Sequence, residues 1–563
     1  YLICLMNNFI LFLTSIKKKI NNINPFFLGI ILFIIFLLLP LATYNYTTAG
    51  GDIAEYINNP LRVINGELPY RDFWLMFPPG EVFLPAFIYK VFGLNVNILL
   101  FFSLFINVFI GIFSFLLGKE IFKDNFYSVI LAILVFFNGI THYLGYTYIY
   151  MYFLLLLISS YFLIKYLNNN KITELFISGI FVGLAFLFRF YEVGAGFVSF
   201  LLVNFIHTKM RGIKFHQRIK SCIIFCCGVI LVVGAISFAL IEIWKPMVKE
   251  IMIESVLHGT SMKIPYFTDS IPHIRLIIID FKKILETGNF FYIINFSSHL
   301  AHFINVTLPY LFPFLIVGMS ILYFIWGKLG ENEKVIILFF LLWGIFTFPK
   351  SFGRADVAHL AFSNTPLFFV LIFLLKKSFE KFKENKNVLD KFVRNGLVII
   401  TILLLVPVFL FPVKTAFVLV KPHFKVSTKY GTLFFADELE AKYVNNVIEF
   451  INKNTNEKDY IFVTPWYAPP FYALTNRKNP TYYDSLIDVI VKPSDEKQSK
   501  ICKALLEKKC KLIIHYADWG FDDKKQFYFL NACPILQKCI ESNFELVKKY
   551  GHYWIYIAKK TNN

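Results

Sequence analysis

The sequence predicts an α-helical protein that spans a membrane about eleven times, counted at about 20 apolar residues per crossing, and ends in a small α/β domain on the outer face. Three observations predict this class. The 563 residues are 57% hydrophobic and 19% aromatic, with a mean hydropathy of +0.60, too apolar for a soluble chain of this length. Long apolar runs recur as far as Val413. Beyond about Lys421 the pattern changes to short apolar runs alternating with amphipathic stretches. The net charge of +19 accompanies a general overuse of Phe, Ile, Asn and Lys. Its placement therefore informs more than its size, and it is not read as a nucleic-acid signal.

The chain begins at Tyr1, and Met6 is the expected start. Lys17, Lys18 and Lys19 precede the apolar run Pro25–Ala42. That run has no small-residue cleavage site and reads as a retained first helix with its lysines in the cytoplasm. Further spans are expected near 97–117, 126–141, 146–164, 174–189, 193–206, 221–243, 305–326, 335–348, 358–375 and 396–413. Region 174–206 reads either as two short spans or as one long helix. Two spans keep the basic loops "HTKMRGIKFHQRIK" and "KKSFEKFKENKNVLDKFVRN" in the cytoplasm. One merged span would throw both outside, against the positive-inside rule, so two are expected.

In this orientation residues 1–420 form the transmembrane domain, and its outer face receives loops 43–96, 244–304 and 349–358. The stretch "IRLIIIDFKKIL" from Ile274 reads as an interfacial amphipathic helix. Residues 421–563 form the outer soluble domain, with a helix at "ELEAKYVNNVIEFI" and strands at "DYIFVTP", "KLIIHYAD" and "YWIYIAKK". Its stretch "FVTPWYAPPFYALTNRKNPTYYD" has the aromatic and polar make-up of a glycan-binding surface, although an aromatic core would read the same. Cys502, Cys510, Cys533 and Cys539 also lie there. A disulfide is chemically possible among them, but spacing assigns no pair and matches no zinc site.

The expected spans are almost free of acids; only Glu192 and Glu242 come near, both towards outer ends. Ion-coupled carriers keep costly carboxylates at mid-bilayer, so their scarcity argues against a carrier. The polar chemistry gathers at the outer mouth instead. Asp52 follows two glycines, with Glu55 three residues on along a helical face. "PYRDF" brings Arg71 and Asp72, the tip of 174–206 brings Arg189 and Glu192, and the loop from Pro349 brings Lys350, Arg354, Asp356 and His359. Carboxylates beside cations at a membrane surface suit sugar transfer from a polyprenyl phosphate. Cations neutralise the departing phosphate, and a carboxylate activates the acceptor hydroxyl. One base then suffices for a single inverting displacement, without the paired carboxylates of soluble glycosidases. Simpler readings stand beside this one. Asp52 and Glu55 fit a helix capping box, Asp72 with Arg71 fits a turn, Arg189 with Glu192 fits an ion pair at the tip, and Lys350 fits interfacial snorkelling. His258 and Lys263 read as surface-loop residues.

The first ninety or so residues, with "GGDIAEY" and then "NGELPYRDFWLMFPPGEVFLPAFIYKVFG", resemble the GT-C superfamily of membrane glycosyltransferases, in its protein O-mannosyltransferase-like and aminoarabinose-transferase-like branch. "GRADVAHLAF" and "FYALTNRKNP" look like segments of bacterial members of undefined substrate. The resemblance implies Asp52 as catalytic base, with Glu55 or Asp72 as a second acid. It implies Arg354, together with His359, as holders of the donor phosphate, and Lys350 and Arg189 join them as candidates by their charge at the same mouth. The implied partners are a polyprenyl-phosphate sugar donor, a lipid, glycan or protein acceptor, and membrane lipid, at the cytoplasmic membrane. Mannosyltransferases often show Asp-Glu where this chain has Asp52 followed by Ile53. Metal dependence is therefore open, and a divalent cation is a candidate cofactor. The rival readings are an O-antigen-type polymerase or ligase, a lipid-linked glycan flippase, and a non-catalytic scaffold.

Overall fold

The computed structural model describes residues 14–46, 52–138, 148–210, 212–254, 266–267, 271–288, 290–326, 329–353, 355, 357–384, 393–405, 408, 419–420, 422–457, 459–464, 468–484, 486, 494–517 and 533–559. The chain opens with α1 (Thr14–Asn21) and α2 (Pro25–Leu41), joined at an angle of 108°. Asn24 caps α2 by accepting from the Phe26 N–H at 2.9 Å, with Pro25 at the first helical position. There follow α3 (Asp52–Ile64), α4 (Gly80–Phe92), α5 (Val96–Phe122), α6 (Asn125–Asn138), α7 (Tyr148–Asn169), α8 (Ile172–Ala185), α9 (Tyr191–Met210), α10 (Phe215–Ala239) and α11 (Ile241–Val248), which runs into a π-helical turn, Lys249–Glu254. Then come α12 (Ile271–Thr287), α13 (Phe290–Trp326), α14 (Glu331–Thr347), the single turn α15 (Lys350–Gly353), α16 (Val357–Glu384) and α17 (Val393–Leu405).

Every one of the eleven expected spans falls on a helix. Seven helices are long and apolar enough to cross a membrane, and the bent α1–α2 pair passes as an eighth. The other three, α6, α8 and α17, are apolar but shorter than the roughly 20 residues of a full crossing. The chain is a multi-span membrane protein, as expected. Region 174–206 is broken at 186–190, as the charge argument requires. Helix α8 lies backbone to backbone on α10, because Gly179 meets the Phe225 carbonyl and Gly228 meets that of Phe176, where a Cβ would not fit. The rest of α10 presents Ile223, Ile230, Leu231 and Phe238 outward, as a lipid-facing helix does. The expected amphipathic helix is present as α12. It packs on α13 through Asp280 and His299, 2.6 Å apart, and exposes Ile278, Phe281 and Leu285.

The C-terminal part forms β1 (Phe424–Thr428), β2 (Gly431–Phe435), α18 (Glu438–Asn454), β3 (Ile461–Thr464), α19 (Phe471–Thr475), α20 (Asp495–Glu507), β4 (Leu512–Tyr516), α21 (Pro534–Asn543), β5 (Phe544–Tyr550) and β6 (Tyr553–Ala558). Strands β1 and β2 pair as a ribbon. The main sheet has the order β3-β4-β6-β5, parallel between β3 and β4 and antiparallel elsewhere. The small α/β fold is as expected. A disulfide, Cys502–Cys539, joins α20 to α21 and assigns the pair that spacing left open, while Cys510 and Cys533 are buried and free.

The boundary near 421 does not divide the packing. Ile57 and Leu61 of α3 and Val96 and Leu100 of α5 share one apolar core with Val426, Leu433 and Val447 of the tail. The Asn97 amide donates to the Thr432 carbonyl at 2.8 Å and accepts from its N–H at 2.7 Å. The Trp74 N–H donates to the Tyr482 carbonyl at 2.7 Å. The aromatic stretch expected as a glycan-binding surface is part of this joint core: Phe471, Tyr472 and Leu474 are buried. Apolar side chains packed against α3 and the tail gain more from burial than from exposure, and of the two readings these residues take the core one.

Candidate active site

The first loop is an ordered platform. Asp52 is the first residue of α3; its side chain, like residues 47–51, lies outside the described part. At 3.6 residues per turn Asp52, Glu55, Asn59 and Arg62 fall on one side of this helix. Glu55 is partly exposed there. Beyond α3 the chain turns through Gly66, whose φ of 87° suits glycine. Asp72 is engaged on both oxygens: Oδ2 accepts from the Leu68 N–H at 2.8 Å and from Arg71 at 2.7 Å, and Oδ1 accepts from Arg71 at 3.1 Å. The Arg71 hydrogen bonds hold its carboxyl below the ordinary carboxylate value. Arg71 also reaches Glu242 of α11 at 3.2 Å. These contacts fit the turn reading of Asp72.

The segment "FPPGE" brings this loop onto the break between α8 and α9. The Gly80 N–H donates to the Leu187 carbonyl at 2.8 Å. A Cβ on Gly80 would stand 2.6 Å from that same oxygen, so only glycine allows the approach. The Phe77 ring lies 3.9 Å from the Arg189 guanidinium, a cation–π contact. Tyr70 donates its hydroxyl proton to the Phe77 carbonyl, and Glu81 is buried in the first turn of α4.

At this junction Glu192, in the first turn of α9 and 1% exposed, gathers two cations. Arg189 lies 3.9 Å from Glu192 Oε1, and Lys350, at the head of α15, forms an ion pair with the same oxygen. Lys350 also sits over the Phe362 ring at 4.4 Å, and His359 packs edge-on against that ring at 5.8 Å. Arg189, Lys350 and His359 are thus brought together around Glu192 and Phe362. Tyr266 and Phe267 of the long loop pack beside them on Tyr310, at 5.2 and 5.0 Å. The other expected residues, Arg354, Asp356, His258 and Lys263, lie outside the described residues. Among the described residues no group of three or more His, Cys, Asp or Glu could hold a metal.

Two features went unread in the sequence. Glu192 was seen as a partner of Arg189 but not as the hub for Lys350; a lone acid opening an apolar span was its signal. Arg62 was not singled out at all. It is 4% exposed, yet its Nε donates to Glu67 at 2.6 Å, Nη1 to Asp484 at 3.0 Å and Nη2 to the Asp72 carbonyl at 3.1 Å, with the Phe73 ring 4.8 Å away. Burial works to lower its pKa, but Asp484 and Glu67 outweigh this and raise it.

No protein family and no curated protein matches this sequence. Several solved structures resemble the chain. One is the archaeal oligosaccharyltransferase AglB from Archaeoglobus fulgidus in complex with an inhibitory peptide and a dolichol-phosphate; it is 12% identical with a TM-score of 0.47, over 94% of this chain and 74% of that one. Another is ArnT from Cupriavidus metallidurans bound to undecaprenyl phosphate, 10% identical with a TM-score of 0.51, over 94% of this chain and 97% of that one. At such low identity the likeness is one of fold alone, and along nearly the whole chain that fold is shared with ArnT.

Proposed function

We propose that this protein transfers a sugar from a polyprenyl-phosphate donor to a hydroxyl-bearing acceptor at the outer face of the cytoplasmic membrane. The observation that carries the reading is the meeting of Arg189 and Lys350 on Glu192, against the Phe77–Glu81 segment of the first loop. It supports an anion site beside the spans, within a fold shared with a protein solved with undecaprenyl phosphate. In this account Lys350 and Arg189, with Arg354 and His359, hold the donor phosphate. Asp52 takes the proton from the acceptor hydroxyl as its oxygen attacks the anomeric carbon. The bond from that carbon to the phosphate oxygen breaks, and polyprenyl phosphate leaves with the electron pair, with inversion. Glu192 orients the two cations, Glu55 is the remaining candidate for a second acid, and Asp72 holds the turn beneath.

The test is turnover in lipid nanodiscs with a panel of polyprenyl-phosphate sugars, a membrane extract as acceptor source, and release of polyprenyl phosphate as the readout. Asp52→Asn keeps shape and capping ability but removes the base. A loss of more than about a hundredfold is expected, within the range of general-base effects. Equal turnover by wild type and variant would remove Asp52 from the chemistry, and no turnover of any donor would reject the transferase reading. Repeating the wild-type assay after chelation decides the question of a divalent cation.

A further inference from the structure

The Arg62 centre joins two parts of the chain 422 residues apart, and the chemistry just proposed does not use it. Its place on α3 suggests what it does. Helix α3 starts at Asp52 and contains Pro60. A proline inside a helix removes one main-chain hydrogen bond, so α3 has a point at which it can hinge. The tail grips the helix on both sides of that point. Before it, Asn58 Oδ1 accepts from the Ala473 N–H at 3.1 Å. After it, Arg62 donates to Asp484 at 3.0 Å. Both grips are buried: Asn58 is 8% and Arg62 4% exposed. Asp484 is itself tied down by Asn479, whose amide donates to Oδ1.

We infer that Asn58, Arg62 and Asp484 are positioning residues: the tail domain clamps α3 across Pro60 and so fixes where the N-terminus of that helix, with Asp52, stands. From Arg62 to Asp52 is about 15 Å at 1.5 Å per residue, so a tilt of about 5° displaces the tip by about 1 Å. A displacement of that size costs a catalytic group up to about a hundredfold in rate. The tail is then part of the catalytic scaffold rather than an appended module. The catalytic half of this inference rests on the transferase reading; the mechanical half does not.

The experiment uses the full chain in nanodiscs with two variants. Asp484→Asn removes the charge facing Arg62, and Asn58→Ala removes one neutral hydrogen bond and tests the clamp should the first variant fold poorly. Hydrogen exchange of the α3 amides is read together with kcat and the donor KM. The clamp predicts faster exchange across 53–64 in Asn58→Ala with the transmembrane helices unchanged. It predicts a kcat lowered at least about tenfold, with the donor KM within about twofold because the phosphate site is elsewhere. Unchanged exchange in α3 would overturn the inference, and so would faster exchange with an unchanged kcat. If wild type consumes no donor, the transferase reading falls, and exchange alone still decides whether the tail holds α3.

Discussion

Two arginine centres, Arg62 and Arg189, show opposite ways of burying a cation. Around Arg62 one guanidinium faces two carboxylates and a carbonyl, two of them within the first loop and one, Asp484, in the tail. Around Glu192 the ratio is reversed: Arg189 and Lys350 converge on one carboxylate oxygen, and the rings of Phe77 and Phe362 lie against them. The first is the geometry of a joint. The second is suited to an anion, because cations shared on one carboxylate and resting on aromatic faces can turn to a phosphate without leaving the site. Both centres lie against the same loop, so on the proposed function stability and chemistry are divided between its two sides.

Substitutions separate the two centres. The largest effect on stability is expected from Arg62→Ala. It leaves the buried Asp484 without its cation, and removing one partner of a buried ion pair costs about 3–5 kcal/mol. Thermal unfolding in detergent checks it, and a shift no larger than that of Lys350→Gln would erase the distinction between the centres. Next is the tail's disulfide. Cys502→Ser should cost about 2–4 kcal/mol by freeing a 37-residue loop, read by urea unfolding, with donor affinity unchanged.

The tail should also lose stability in mild acid. Burial lowers the pKa of His515 from the usual 6.5 to about 4. Its stabilising contribution is therefore complete above pH 6.5 and is lost as pH falls towards 4, where the unfolded chain takes up a proton that the folded one refuses. The loss is on the order of 2–3 kcal/mol, and His515→Gln should flatten the melting temperature across this window. The smallest effect on stability is expected at the mouth. Gly80→Ala pushes a methyl against the Leu187 carbonyl and should cost about 1–3 kcal/mol as overpacking. It should lower turnover more than it lowers the melting temperature.

The span pattern was legible because a chain in lipid must satisfy its own backbone, which leaves helices as the answer to long apolar runs. The division of region 174–206 into two helices was legible from loop charge alone, while the break itself lies a few residues earlier than the expected 190–192. Asp72 was legible as a residue type but not as a role, since Arg71 beside it serves a turn and a substrate equally well. The Arg62–Asp484 pair was not legible, because no periodicity links residues so far apart. The aromatic stretch from Phe462 to Asp484 is not decidable in the sequence, since core and glycan surfaces draw on the same side chains. Asp52 stands out by its place after two glycines in the acidic loop, and its role as base comes from the resemblance; its place at the head of α3 fits that role and fits capping equally.

The most direct measurement of the central claim is the affinity of undecaprenyl phosphate for the purified protein in nanodiscs, compared among wild type, Lys350→Gln and Asn58→Ala. The account predicts binding about tenfold or more weaker in Lys350→Gln, the loss of one charge-assisted contact, and binding within about twofold of wild type in Asn58→Ala. Equal affinity in wild type and Lys350→Gln would contradict it and place the phosphate somewhere other than the Arg189–Glu192–Lys350 centre.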